Sequence, residues 1–364
     1  MTDSHYLAQG LLAAVRAQGF GSTPDRERGG AAVAHFPSID LAVAAFGPTG
    51  TARWANVLFS REHPHGLVAS IGDQAGAVQG LRFDADQRDA RGESVAWASN
   101  SDWQRMNWTA LHGSAPVRGA ATDRPVPRMV APYPASLLKL MVAVGVALAV
   151  DRGMTPWPAG LEPMMVVSDN DATDTCVALL HRLGMVGALN QRFAALDLPT
   201  LQLNNTTPGG GWRNPDGAGV GQIHMTAWDT VRLLWLLNAD APPAPWLPAG
   251  TELLKPATRA HLRGVLARQQ LDEILSSGSL RGLPGWVPGL PDAPAFAHKT
   301  GTTDNYASDA GIVQAGDKMA DDTHYIVAVL TSLGQRYAPH PRCATTWRLP
   351  ALGAAVHQLV RTMS

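Results

Sequence analysis

The hydrophobic and polar positions along the chain follow two different periods. At residues 5–18, apolar side chains recur at helical spacing and predict an amphipathic first helix. Short apolar runs separated by Gly, Pro, Asp and His then predict strands at 39–46, 54–59 and 66–71. The middle of the chain changes to helical periodicity, with helices predicted at 136–151, 173–183 and 226–237.

The C-terminal part returns to the strand pattern and closes with a helix. Here the predicted elements are strands at 295–300, 310–314 and 325–333 and a helix at 345–363. Strands from both termini around a helical middle predict an α/β (α+β) fold. In that fold an antiparallel sheet formed from both termini is flanked by helices and carries an inserted all-α domain. The predicted divisions are 1–125, which has room for an insertion beyond its helix and strands, a helical domain at 126–294, and 295–364, which completes the sheet.

Composition and charge narrow the class of ligand. The 364 residues include 29 Lys and Arg against 30 Asp and Glu, a formal net charge of −1. Such a chain has no overall field that would attract nucleic acid or an anionic membrane, so we expect a small-molecule or peptide substrate. Two cysteines, Cys176 and Cys343, are too few for a disulfide framework or a thiolate metal cluster. Cys176 is expected in the core. The oligomeric state is left open.

The N-terminal sequence has no basic region followed by an apolar run and a small-residue cleavage site. The most apolar segment, 140–150, is shorter than the roughly 20 residues that a membrane-spanning helix needs. A cytoplasmic location is therefore predicted, or a periplasmic one if a leader has been removed.

The first candidate for chemistry is Ser136-Leu-Leu-Lys139. Residues three apart on a helix share a face, so the hydroxyl and the amine can come within hydrogen-bonding distance. A serine hydroxyl becomes nucleophilic when a neighbouring base takes its proton, and a lysine kept neutral can be that base. The alternative is a helix-capping serine beside a lysine that extends to solvent. Only four of the 29 cationic residues are lysines, and this favours a chemical role for a lysine in an apolar helix.

Two further motifs follow. Ser168-Asp169-Asn170 precedes an apolar helix, and on its own is more typical of a capping loop. Lys299-Thr300-Gly301-Thr302 ends a predicted strand, and on its own is equally typical of a turn.

In this order the three motifs resemble those of class A β-lactamases and penicillin-binding proteins, from about Tyr133 to the C-terminus. The resemblance implies a β-lactamase/transpeptidase-like fold without metal or organic cofactor. It also implies that Ser136 is the acylated nucleophile and Lys139 its general base. Ser168 would pass a proton to the leaving nitrogen, and Lys299 would keep the local potential positive and orient Ser168.

The resemblance also implies a substrate-binding set made of Asn170, Thr300, Gly301 and Thr302. Asn170 would hold a side-chain amide of the substrate, and Thr300 and Thr302 would contact a substrate carboxylate. Backbone N–H groups of Ser136 and Thr302 would form the oxyanion hole, which stabilises a tetrahedral intermediate.

The sequence departs from the class A pattern at the glutamate that activates the deacylating water. No glutamate lies between Glu162 and Glu252, and the corresponding loop, 198–215, carries none. Asp216, His224 and His298 are possible replacements, but a turn aspartate is the better interpretation of Asp216 and a packed histidine that of His298. The first two motifs are also only 32 residues apart, which predicts a shortened helical wall and a more open cleft.

The sequence is compatible with three functions. The leading one is a serine hydrolase that forms an acyl-enzyme at Ser136 with a β-lactam or a related amide or ester. The second is a peptidase, esterase or transacylase like the penicillin-binding proteins, acting on a cytoplasmic metabolite. The third is a non-catalytic protein that captures its ligand in the same cleft.

Overall fold

The computed structural model describes residues 3–48, 50–87, 97–114, 126–211, 223–293, 295–314 and 323–363. The helices of these residues are α1 (Asp3–Ala17), α2 (Asn100–Arg105), α3 (Lys139–Asp151), α4 (Leu161–Val166), α5 (Asn170–Arg182), α6 (Met185–Ala195), α7 (Ala227–Leu237), α8 (Pro256–Leu266) and α9 (Arg348–Arg361). The strands are β1 (Pro24–Asp25), β2 (Ala31–Ala32), β3 (Ile39–Phe46), β4 (Ala52–Phe59), β5 (Leu67–Val68), β6 (Arg82–Ala85), β7 (Arg128–Ala131), β8 (Gln202–Leu203), β9 (Ile223–His224), β10 (Phe296–Thr302), β11 (Ala307–Gln314) and β12 (His324–Thr331).

The main sheet joins the two ends of the chain. Its order is β10-β11-β12-β3-β4-β5, and every neighbouring pair is antiparallel. The join is the pairing of β12 with β3, in which Val327 lies opposite Val43. This confirms the predicted fold class, an α+β fold with an antiparallel sheet built from both termini.

Helices cover both faces of this sheet, and alternate residues of each strand therefore enter different cores. On β12, Val327 and Val329 pack with α1 and α9. The intervening Ala328 and Leu330 face the helical middle of the chain. Burial on both faces explains why β3 is apolar at every position except Asp40, since every residue from Ile39 to Phe46 is buried.

The helical middle is organised around α3. Its residues 139–149 are all buried, so it is apolar on every side rather than amphipathic. At Gly145 a side chain would meet Leu180 of α5 and Leu189 of α6 at 3.0–3.2 Å, so the missing Cβ allows these helices to pack closely. Within the described ranges, no helix has the length and apolar character needed to cross a membrane.

The structure differs from the sequence predictions at several boundaries. The predicted helix at 136–151 begins with a 3-10 turn, Ala135–Leu138, and becomes α-helical only at Lys139. The predicted strand at 66–71 is reduced to the two residues of β5. Helices α2, α4, α6 and α8 were not predicted. Helices α2 and α4 are only six residues long, too short to show a clear apolar stripe.

The region between β5 and the 3-10 turn at Ala135–Leu138 contains an additional small unit. Strands β6 and β7 pair in parallel and cover a separate apolar cluster that includes Phe83, Leu111 and Met129. The preceding loop is held against the helical part, because Trp228 Nε1 of α7 donates to the Gly76 carbonyl at 2.8 Å. Since β7 ends at Ala131, this unit leads directly into the segment that carries Ser136.

Candidate active site

Ser136 lies in the 3-10 turn, and Lys139 is the first residue of α3. A 3-10 turn has three residues per turn, so these two side chains project from the same side. Ser136 is half-buried and Lys139 is fully buried. Ala135 has φ 51°, a left-handed conformation that is rare outside glycine and that clusters at functional sites.

Strand β10 packs against this turn at Gly301. A Cβ on Gly301 would lie 2.5 Å from Leu137 N and 2.6 Å from Ser308 Oγ, and it would also overlap the Pro134 carbonyl oxygen. Ser308 of β11 donates a hydrogen bond to that same carbonyl. Only a glycine allows the third motif to contact the backbone of the first.

We therefore expect Gly301→Ala to destabilise the fold and to slow any reaction at Ser136. The added carbon meets backbone atoms, which cannot rotate away, so β10 must shift from the turn. Overpacking of this kind costs about 1–3 kcal/mol. Urea unfolding of the variant measures the effect. Gly264→Ala in α8 is the matched control, since its nearest neighbour is the end of the Arg268 side chain at 3.9 Å; equal stability of the two variants would contradict the prediction.

Ser168 connects the two buried lysines. Its Oγ accepts a hydrogen bond from Lys139 Nζ at 3.0 Å and another from Lys299 Nζ at 3.0 Å. A hydroxyl has two lone pairs and one hydrogen. Because both lone pairs are engaged, the Ser168 hydrogen points away from the lysines. Ser168 is therefore arranged to donate a proton to a third group.

The loop that carries Ser168 is fixed on both sides. Ser168 has φ 59°, and Asp169 caps α5 by accepting a hydrogen bond from Ala172 N at 2.7 Å. Lys139 Nζ also donates to the Ser168 carbonyl at 2.5 Å and to Asn170 Oδ1 at 2.8 Å. The first and second motifs thus meet through three hydrogen bonds of one ammonium group.

Lys299 is fully buried and donates to Ser168 Oγ and, at 2.8 Å, to the Thr300 carbonyl. Burial and the nearby charge of Lys139 lower the pKa of Lys299 to about 7, although the negative charges of Asp309 and Glu273 act in the opposite direction. Two cations that share one hydroxyl disfavour each other, so removal of one proton near neutral pH relieves the repulsion.

The predicted substrate-binding residues border this cluster. Asn170 is exposed at the start of α5, and Thr300 is buried in β10. Thr302 is half-buried at the end of the strand, and its Oγ1 has no hydrogen-bond partner among the described residues. A ligand carboxylate at Thr302 would supply an acceptor for this hydroxyl.

The structure describes two of the three residues that could have replaced the deacylating glutamate. Asp216 lies outside the described residues. His224 lies in the short β8–β9 pair opposite Gln202, and burial lowers its pKa to about 4. His298 is buried, as predicted, but it is an ion-paired rather than a merely packed residue.

Three acidic residues near β10 were not predicted as part of the site. Asp309 and Asp272 bond to His298, and Lys299 acts electrostatically on Glu273. The only sequence signal was an aspartate inside the apolar strand that contains Asp309, an unusual position for a carboxylate. Within the described ranges no group of three or more His, Cys, Asp or Glu is arranged to hold a metal ion.

Among curated proteins, none matches this chain. Solved structures with a similar course of chain include PBP-A, which is 21% identical over 63% of this chain and 78% of its own, with a TM-score of 0.39. A class A beta-lactamase from Bacteroides cellulosilyticus is 18% identical over 66% and 88% of the two chains, with a TM-score of 0.42. The TP domain of penicillin-binding protein 3 from Burkholderia pseudomallei is 11% identical over 99% and 94%, with a TM-score of 0.41.

A family model described as the beta-lactamase enzyme family matches residues 154–346, just over half of the chain. The match includes the second and third motifs, while Ser136 and Lys139 precede it. This protein therefore belongs to the beta-lactamase enzyme family.

Proposed function

We propose that this protein is a serine hydrolase of the β-lactamase-like type, which forms an acyl-enzyme at Ser136 with a β-lactam or a related amide or ester. The observation that carries the proposal is the position of Ser168 Oγ, which accepts hydrogen bonds from both Lys139 and Lys299. Serine acyl transfer needs a base for the nucleophile and a proton donor for the leaving group, and this cluster supplies candidates for both.

In the proposed acylation step, neutral Lys139 takes the proton of Ser136 as Oγ attacks the carbonyl carbon. The tetrahedral oxyanion is held by the backbone N–H groups of Ser136 and Thr302. When the C–N bond breaks, Ser168 gives its proton to the leaving nitrogen and recovers one from the Lys139 ammonium. One proton has then moved from Ser136 to the nitrogen, and the acyl group remains on Oγ.

Two observations support Lys139 as the base. It is fully buried one turn from Ser136, and it lies beside a second cation that shares Ser168. Lys299 is the counterpart that stays cationic in the proposal. Burial and Lys139 lower its pKa to about 7, while Asp309 and Glu273 act in the opposite direction and favour its protonated form. A positive Lys299 would then attract a substrate carboxylate. The side chain of Thr300 lies on the opposite face of β10 and therefore does not join this contact.

Removal of the acyl group needs a base for water, and the usual glutamate is missing from the sequence. No glutamate lies between Glu162 and Glu252. This observation favours a second candidate, a protein like the penicillin-binding proteins that passes the acyl group slowly to water or to another acceptor. A cytoplasmic location of this reaction stays a prediction of the sequence.

Intact-protein mass spectrometry over time, with nitrocefin and a simple ester as probes, tests the proposal. We expect one acyl adduct per chain, and peptide mapping should locate it on Ser136. Many turnovers per site would favour the hydrolase, and a stoichiometric adduct that persists would favour the second candidate. A folded protein that gives no adduct with either probe or with a fluorescent penicillin would overturn both.

A further inference from the structure

His298 and two carboxylates form a buried ionic cluster beneath the third motif. His298 Nδ1 lies 2.7 Å from Asp309 Oδ1, and Nε2 lies 3.2 Å from Asp272 Oδ1. The side chains of His298 and Asp309 are fully buried, and that of Asp272 is 13% exposed. Both ring nitrogens therefore face carboxylates, an arrangement in which imidazolium can donate to each.

Strand geometry places this cluster on the opposite side of the sheet from the active-site lysines. Successive residues of β10 point to opposite faces, so His298 and Thr300 share one face and Lys299 and Gly301 share the other. Asp309 lies opposite Thr300 in the register, and its side chain is therefore on the His298 face. The sheet is only one backbone thick, so charges on its two faces act on each other.

Packing contacts and hydrogen bonds fix the positions of His298 and its two carboxylate partners. Phe296 stacks on its ring, with centroids 4.1 Å apart and planes at 18°. At Gly311, the residue opposite His298, a Cβ would overlap the backbone and Cβ of His298. Leu275 N donates to Asp309 Oδ2 at 3.0 Å, while Ser276 Oγ donates to Asp272 Oδ1 at 3.1 Å.

We propose that the His298–Asp309–Asp272 cluster is a buried counter-charge for the active-site lysines, and that it helps to keep Lys299 cationic while Lys139 acts as a base. One imidazolium and two carboxylates carry a net charge of −1, which partly neutralises the two ammonium groups at Ser168. These three are positioning residues, since they act through Lys299 and touch no reacting atom. This inference rests on the proposed function for its catalytic meaning.

The pKa shifts of His298 and Asp272 are consistent with the proposed counter-charge. Burial alone would lower the pKa of His298, but the charges and hydrogen bonds of Asp309 and Asp272 raise it to about 9. Burial acts to raise the pKa of Asp272, yet the hydrogen bond and charge of His298 hold it below its usual value. At neutral pH His298 is therefore a cation between carboxylates.

Other titratable groups also face the cluster or Lys299. They are Glu273 in the segment before β10, Asp292 with its partner Arg281, Cys343 near Glu273, and Lys139 across the sheet. Burial raises the pKa of Glu273 above its usual value. These groups are the same in every variant below. They therefore do not change the direction in which the titration midpoint of Lys299 is expected to shift.

Lysine NMR provides the test, because the chain has only four lysines. The protein is labelled with 13C at lysine Cε, and the Lys299 signal is assigned by its loss in Lys299→Arg. The titration midpoint of Lys299 is then measured in the unsubstituted chain, in His298→Gln and in Asp309→Asn. Removal of a negative charge in Asp309→Asn should move the midpoint of Lys299 to lower pH, by about one pH unit. His298→Gln removes a positive charge instead. In this variant the titration midpoint of Lys299 should lie at a higher pH than in Asp309→Asn.

A purely structural role for the cluster predicts no such order. The inference fails if the midpoint in Asp309→Asn is not lower than in the unsubstituted chain, or if His298→Gln does not titrate above Asp309→Asn. Asp272→Asn removes a charge of the same sign and replaces Asp309→Asn if that variant does not fold. The titration needs no substrate, so the expected order in a protein that gives no acyl adduct would support the counter-charge and overturn the proposed function alone.

Discussion

Replacement of Ser136 with alanine is expected to eliminate acyl-adduct formation with nitrocefin and with ester probes. The Oγ atom forms the covalent bond in the proposed reaction, and the variant has no other oxygen at this position. Loss of a serine nucleophile lowers rates by several orders of magnitude, so we expect a decrease of more than about 1,000-fold in the second-order rate of labelling. Intact-protein mass spectrometry measures the adduct directly.

The control for this experiment is Ser101→Ala, which removes an exposed hydroxyl from α2. It should label at the rate of the unsubstituted chain. Thermal unfolding of Ser136→Ala should be close to that of the unsubstituted chain, because only one half-buried oxygen is lost. An adduct that persists in the alanine variant would show that the nucleophile lies elsewhere.

The second large effect is expected for Lys139→Arg. A guanidinium stays charged at any pH at which the protein is folded, so it cannot take the proton of Ser136. Loss of a general base typically costs about 100-fold to 10,000-fold in rate. We expect a decrease of this size in the second-order rate of acylation, followed by stopped-flow absorbance with nitrocefin.

Lys255→Arg is the matched control for this substitution. Lys255 is an exposed lysine that precedes α8 and bonds to the Asp151 carbonyl, so the same chemical change there should leave acylation unchanged. Acylation of Lys139→Arg at the unsubstituted rate, in a protein that still unfolds cooperatively, would exclude Lys139 as the base.

Much of the fold could be predicted from the sequence, because the sheet is buried on both faces. Strand β3 is predicted at its exact bounds, since an eight-residue run that is apolar except at Asp40 and lies between Pro37-Ser38 and Gly47 has few other interpretations. Helix α7 was predicted to within one residue, because Thr226 gives it a clear capping start. The change from the 3-10 turn at Ser136 to the α-helix at Lys139 is set by backbone conformation alone, and no pattern in the sequence marks such a boundary.

The candidate site was predicted only where its members are local in sequence. The three motifs identify Ser136, Lys139, Ser168 and Lys299, and the last three meet through hydrogen bonds. The ionic cluster at His298 was not predicted, because pairing of β10 with β11 and the course of the chain before β10 bring its members together. The left-handed conformation of Ser168 was also not predictable, since serine rarely adopts it.

The pairing of β3 with β12 has a consequence for the synthesis of this protein. About 280 residues separate Val43 from Val327, so β3 emerges from a ribosome long before its neighbour exists. Contacts between such distant segments make folding slow, and unpaired apolar strands aggregate. Until the last part of the chain is translated, one edge of β3 has no partner in the main sheet. A newly made chain therefore exposes an apolar strand edge for most of its translation.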